Sequence, residues 1–215
     1  KQVAGDRFAD LIADVRKDST LKAVVLRVNS PGGSVVASSK IKTELDLLRE
    51  SVPVIASYGN YAASGGYWIS ANTDKIFSNA TTLTGSIGVF SMIPDVSGAL
   101  KNKLHVNVTT VNSNAHSDLY SLIKPLDAAE TAYMQASVEN IYERFTSIVA
   151  EGRDMTVEAV DAIAQGRVWT GAEAEGIGPV DQIGTLTDAL DYPAISIDGV
   201  TGINDVQIVD YPKPQ

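Results

Sequence analysis

What most restricts the fold of this chain is a repeated succession: a short aliphatic run, a glycine-rich turn, then apolar residues at helical spacing. The first run, residues 21–28, is nearly continuous in aliphatic and β-branched side chains and stops at Asn29-Ser30-Pro31-Gly32-Gly33. Such a run suits a strand buried on both faces, ended by turn chemistry. Ile41, Leu45 and Leu48 then step by four and three, as one face of a helix does. The succession recurs at residues 53–58, where a second apolar run leads through a small-residue loop at 59–63 to Ser64 and the expected start of another helix. Sustained alternation without hairpin dipeptides predicts an α/β fold, a mainly parallel sheet with helices outside it.

The remaining elements follow the same rules. Val3, Phe8, Leu11, Ile12 and Val15 mark a first helix, residues 75–77 and 84–90 two strands, 95–104 a helix and 105–111 a strand. Residues 112–126 read as a polar loop. The clearest helix spans about residues 127–152, with Met134, Val138, Ile141, Phe145 and Ile148 on one face. A helix over 156–165 is capped by Thr156 and followed by a short strand at 167–170, and a last helix lies around Leu186. Residues 191–215 are rich in Pro and Asp, with a weak strand at 206–209, so they read as a peripheral tail. No internal repeat, low-complexity tract or interdomain linker is visible, and residues 1–190 read as one domain.

At 215 residues, 44% hydrophobic and 20% charged, the chain can bury a core of its own. Its net charge of −9 opposes binding to nucleic acid or anionic lipid, so no nucleic-acid partner is expected. The absence of cysteine excludes disulfides and thiolate metal sites. No apolar run reaches the roughly 18 residues of a membrane helix, so the chain itself is expected to be soluble. It opens at Lys1 and enters a helical pattern at once, which suggests a piece of a longer protein.

Three glycine turns sit at predicted strand ends: Ser30-Pro31-Gly32-Gly33-Ser34, Ala62-Ala63-Ser64-Gly65-Gly66-Tyr67 and Leu83-Thr84-Gly85-Ser86-Ile87-Gly88. Functional loops gather at such ends, so the three can converge on one cleft. Ser64, between alanines and glycines, can present its hydroxyl where free backbone N–H groups point outward. That setting suits a nucleophile, since acyl transfer passes through an oxyanion and each preorganised donor is worth about 3 kcal/mol. Gly33 and Gly65 are the candidate donors. The alternative is that Ser64 only caps a helix and the glycines only allow close packing. His105 falls in a strand pattern, and His116 in a loop from which it could reach a cleft but where a solvated surface role is the commoner one, so neither makes a convincing triad. Two separated histidines without cysteine or an acidic pair at ligand spacing argue against a metal, and paired carboxylates for glycoside chemistry are not apparent. No cofactor is expected.

Taken in order, Leu26-Arg27-Val28-Asn29-Ser30-Pro31-Gly32-Gly33, Ala62-Ala63-Ser64-Gly65-Gly66-Tyr67-Trp68-Ile69-Ser70 and Leu83-Thr84-Gly85-Ser86-Ile87-Gly88-Val89 resemble the bacterial signal peptide peptidases, a family of Ser–Lys proteases. The resemblance extends through Gly166-Arg167-Val168-Trp169-Thr170-Gly171 and Gly178-Pro179-Val180-Asp181, covering about residues 5–190. It implies the fold of Clp-type proteases and crotonases, built from stacked ββα units. It also implies Ser64 as nucleophile, Gly33 and Gly65 as oxyanion donors, and Ser86 as the hydroxyl that orients a lysine base.

The chain departs from the family in one place. Where single-domain members carry the lysine, in a loop of the type Ser-Gly-Ala-His-Lys-Asp, this sequence reads Ser113-Asn114-Ala115-His116-Ser117-Asp118. Ser117 cannot accept a proton near neutral pH, whereas a desolvated lysine can. Longer members resemble a tandem duplication with the lysine in the N-terminal half and the serine in the C-terminal half, and this chain fits the second half. The implied function is degradation of cleaved signal peptides by a homo-oligomer, anchored to the bacterial inner membrane by a segment outside this chain, with the catalytic domain extracytoplasmic. Two other readings stand beside it: a non-catalytic peptide-binding or assembly domain of the same fold, and a crotonase-like enzyme acting on acyl-CoA.

Overall fold

The computed structural model describes residues 4–212. The chain divides into two compact units: one built from the residues up to Gly88 together with those from Arg144 onward, the other from Val89–Glu143.

The first unit is a six-stranded sheet with helices. It opens with α1 (Gly5–Val15), β1 (Val24–Ser30), α2 (Val35–Arg49), β2 (Val54–Ala63) and the single-turn α3 (Gly65–Trp68). Two short strands follow, β3 (Lys75–Ser78) and β4 (Leu83–Gly85). In the second unit lie α4 (Ser97–Lys103) and the start of α5 (Ala128–Arg153), whose last turns return to the first unit. The first unit ends with α6 (Val157–Ile163), β5 (Val168–Thr170), α7 (Gly171–Ile177), β6 (Gln182–Ile183), α8 (Leu186–Ala194) and a 3-10 turn at Ile203–Asp205.

β2 organises the sheet. Its residues 54–58 are buried, as its aliphatic run requires of a central strand. On one edge it pairs in parallel with β1; on the other it pairs with β3 through Ile55–Ser57 and then with β4 through Tyr61–Ala63. β6 extends the sheet in parallel from β3, while β5 pairs antiparallel with β4. The β1–β2 register slips by two residues, from Val28 opposite Tyr58 to Ser30 opposite Ala62. Asn29 fills the slip, its Oδ1 accepting from the N–H groups of Asn60 and Tyr61 at 3.1 and 3.2 Å. The parallel-rich α/β architecture is the one the alternation predicts.

The later motifs lock this sheet in place. Buried Tyr67 donates its hydroxyl to the Pro179 carbonyl at 2.9 Å, and Asp181 accepts from the Ile76 N–H and from Arg153, both at 2.6 Å. Burial pushes the Tyr58 and Tyr67 phenols well above their usual range. Trp68 packs on Phe145 of α5 with ring centroids 4.7 Å apart.

Three predicted strands differ. Residues 105–111 form no strand, and His105 sits exposed at φ 54°. Alternation there finds no partner strand among the described residues, and pairing is what makes alternation a strand. The run from Thr84 stops at Gly85, because Ser86 turns into the left-handed region and directs its N–H away to Arg167. Residues 206–209 are likewise without a ladder.

Candidate active site

Ser64 is the single residue between β2 and α3, at φ 51° and ψ −119°. Such a conformation costs an L-residue about 1–3 kcal/mol and persists only where its surroundings hold it. Here the Ser64 N–H donates to the Gly85 carbonyl at 2.9 Å and its carbonyl accepts from the Trp68 N–H at 2.8 Å. The sharp turn takes the half-buried side chain off the capping geometry, and its hydroxyl makes no cap bond to α3. Capping by that hydroxyl, open from the sequence, is therefore not what the structure has.

The loop between β1 and α2 closes on this turn. A β-carbon at Gly32 would lie 2.7 Å from Ser64 Cβ and 2.8 Å from the Gly65 nitrogen, and its φ of 108° also favours glycine. A β-carbon at Gly65 would meet Ser38 Oγ at 2.6 Å and the Gly33 nitrogen at 3.1 Å. Neither the Gly33 nor the Gly65 N–H donates to a protein acceptor among the described residues. Two free donors thus flank the serine.

Ser86 follows β4 at φ 48°, half-buried, its N–H donating to the Arg167 carbonyl at 2.7 Å. Its neighbour Gly85 holds Ser64. The four candidates Ser64, Gly33, Gly65 and Ser86 therefore meet at the carboxyl ends of β1, β2 and β4, where parallel sheets place their sites.

No lysine bonds to Ser64 or Ser86 among the described residues. Lys17 pairs with Asp14, Lys40 with Asp6, Lys42 with Asp46, and Lys124 with Asp118 and Glu130. Lys22 precedes β1 and Lys75 opens β3, at the sheet end opposite Ser64. Ser117 is an exposed turn residue whose hydroxyl donates to the Asn114 carbonyl at 3.3 Å.

The second unit holds a polar cluster that spacing alone did not reveal. Glu130 accepts from Lys124 at 2.7 Å and lies 3.3 Å from His116 Nδ1, and these contacts with the Asp127 N–H push its carboxyl down to about 2. Asp127 returns a bond to the Glu130 N–H at 2.8 Å, a reciprocal cap at the start of α5. The pattern Asp127-x-x-Glu130 was the available signal. His116, Asp127 and Glu130 could offer ligand atoms within 4.8 Å of one another, yet the Lys124 ammonium already sits on Glu130.

The curled, parallel-rich sheet with its helices is a fold of the Clp-protease type. A ClpP1 variant from Listeria monocytogenes superposes with a TM-score of 0.57 over 86% of each chain at 16% identity, a likeness of fold. Residues 46–196 match peptidase family S49, and the chain belongs to that family. It is 46% identical over 189 residues to Protease 4 of Salmonella typhi and 34% identical over 189 residues to the chloroplastic serine protease SPPA of Arabidopsis thaliana. These alignments take in 87% of this chain but only 30% and 28% of those relatives, so it spans less than a third of either.

Proposed function

We propose that this chain is the serine-bearing part of a Ser–Lys endopeptidase that degrades cleaved signal peptides. The observation that carries the reading is the conformation of Ser64: its backbone is held at φ 51°, its hydroxyl does not cap, and two N–H groups without protein acceptors stand beside it.

Ser64 Oγ attacks the scissile carbonyl carbon while its proton passes to a neutral lysine amine. The carbonyl oxygen gains the negative charge and is met by the Gly33 and Gly65 N–H groups. Collapse of the tetrahedral intermediate breaks the C–N bond, and the leaving amine takes the proton from the lysine. Water, deprotonated by the same lysine, then attacks the acyl-enzyme, and as the bond from the carbonyl carbon to Ser64 Oγ breaks the lysine returns that proton to Oγ. Ser86 orients the lysine, which comes from an N-terminal half of the longer polypeptide; Ser117 at the corresponding loop position supports that division. Apolar signal-peptide remnants are the substrate, a homo-oligomer is the working form, and the anchor to the inner membrane lies outside this chain, with the catalytic domain extracytoplasmic.

A scaffold reading is favoured by one observation, the serine at position 117. Fluorophosphonate labelling separates the two. The full-length polypeptide should label at Ser64, the Ser64→Ala variant should not, and the isolated chain should label far more slowly. Equal labelling of isolated chain and full-length protein would overturn the external lysine, and labelling of neither would favour the scaffold.

A further inference from the structure

The motif Gly166-Arg167-Val168-Trp169-Thr170-Gly171 takes no part in the reaction outlined above, yet it reaches the site through the backbone. The peptide unit joining Gly85 to Ser86 is held on both sides. Its carbonyl accepts from the Ser64 N–H at 2.9 Å, and its N–H donates to the Arg167 carbonyl at 2.7 Å. A trans peptide points these two groups in opposite directions, so the pair of bonds sets the tilt of the whole plane. Ser86, in a left-handed conformation, extends directly from that plane.

The turn on the far side is itself braced. The Gly166 N–H donates to the Ile87 carbonyl at 2.9 Å, and a β-carbon on Gly88 would lie 2.7 Å from both Cα and N of Gly166. Two strands of backbone are therefore in close contact just past Ser86. The Arg167 guanidinium holds this turn together, donating to the Ala162 and Ala164 carbonyls at 3.1 and 3.2 Å and to Gln165 Oε1 at 3.2 Å. Those carbonyls belong to the end of α6, where helices leave acceptors unsatisfied. Trp169 adds a bond from Nε1 to the Ile163 carbonyl at 2.9 Å.

We infer that Arg167 is a positioning residue: its side chain fixes the 162–167 turn, and its carbonyl thereby orients the Gly85–Ser86 peptide and with it the Ser86 hydroxyl. The inference rests on the role proposed for Ser86.

The test is steady-state cleavage of an apolar peptide by the full-length polypeptide carrying Arg167→Ala, Ser86→Ala, both, Arg167→Lys or Gly88→Ala. Because a misplacement of about 1 Å can cost on the order of a hundredfold, Arg167→Ala should lower kcat at least about tenfold while KM stays unchanged. The double variant should be no slower than Ser86→Ala, since both changes disable one unit. Arg167→Lys should recover part of the loss, its ammonium reaching one of the carbonyls. Gly88→Ala wedges loop from turn without touching Arg167 and should lower kcat in the same way. A damaged Ser86→Ala with Arg167→Ala within about twofold of wild type would overturn the positioning role alone, as would losses that multiply in the double variant. A silent Ser86→Ala would remove the reading of Ser86 and this inference together. Should Arg167→Ala fail to fold, full kcat in a folded Gly88→Ala would overturn the inference.

Discussion

A methyl group on Gly66 would sit 2.5 Å from the Ser30 carbonyl oxygen, a backbone atom with no freedom to retreat. Gly66 lies in α3 and Ser30 closes β1, so this contact brings the two turns around Ser64 to one distance. Gly66→Ala should destabilise the chain by about 1–3 kcal/mol, as overpacking does. Urea midpoints would register it, and an unchanged midpoint would show that the turns can part freely. Residues of this kind are legible in sequence, because a glycine next to a serine at a strand end announces close backbone approach. Gly32, Gly65 and Gly66 all stand in glycine turns at strand ends. The part played by Arg167 was not legible, since it meets Ser86 through its carbonyl, and a carbonyl belongs to every residue alike.

The start of α5 shows how an element can be anchored by charge. Glu130 is buried, and the Lys124 ammonium, the Asp127 N–H and His116 together hold its carboxyl at about 2, against 4.5 for the unperturbed group. A carboxyl with a depressed folded value contributes stability that is complete above about pH 4.5 and fades as pH falls toward 2. Glu130→Gln should therefore lower the unfolding midpoint at pH 6, and the gap to wild type should narrow by pH 3. A gap that stays constant across this range would mean the ionised carboxylate contributes nothing. Helical period revealed α5, with Phe145 and Ile148 buried as spaced and Met134, Val138 and Ile141 half-buried. Alternation misled at 105–111, where Val106 and Val108 are each 46% exposed and join no ladder, the Val106 N–H donating instead to the Leu100 carbonyl at 2.9 Å. Strand-like spacing is a promise of burial that only a neighbour can keep.

Across the whole chain, order is unevenly spread. Between Val89 and Asp127 the described residues carry one helix, α4, and are mostly exposed. Limited trypsin digestion of the chain should cut first at exposed Lys101 or Lys103. Arg27, also exposed, is shielded because it lies in the β1 ladder and bonds to Ser57 and to the Tyr58 carbonyl. First cleavage at Arg27, identified by mass spectrometry, would reverse that ranking. The division into two compact units has no compositional seam, which is why no linker could be seen in the sequence. Among the described residues no helix is long and apolar enough to cross a membrane. The slip between β1 and β2 carries a last consequence through its parity. Side chains along a strand alternate by two, so an even offset leaves inward residues inward on both sides of the break. The tail of β2 can thus slip along β1 and still deliver Ser64 to its own side of the sheet, where an odd step would have turned it over.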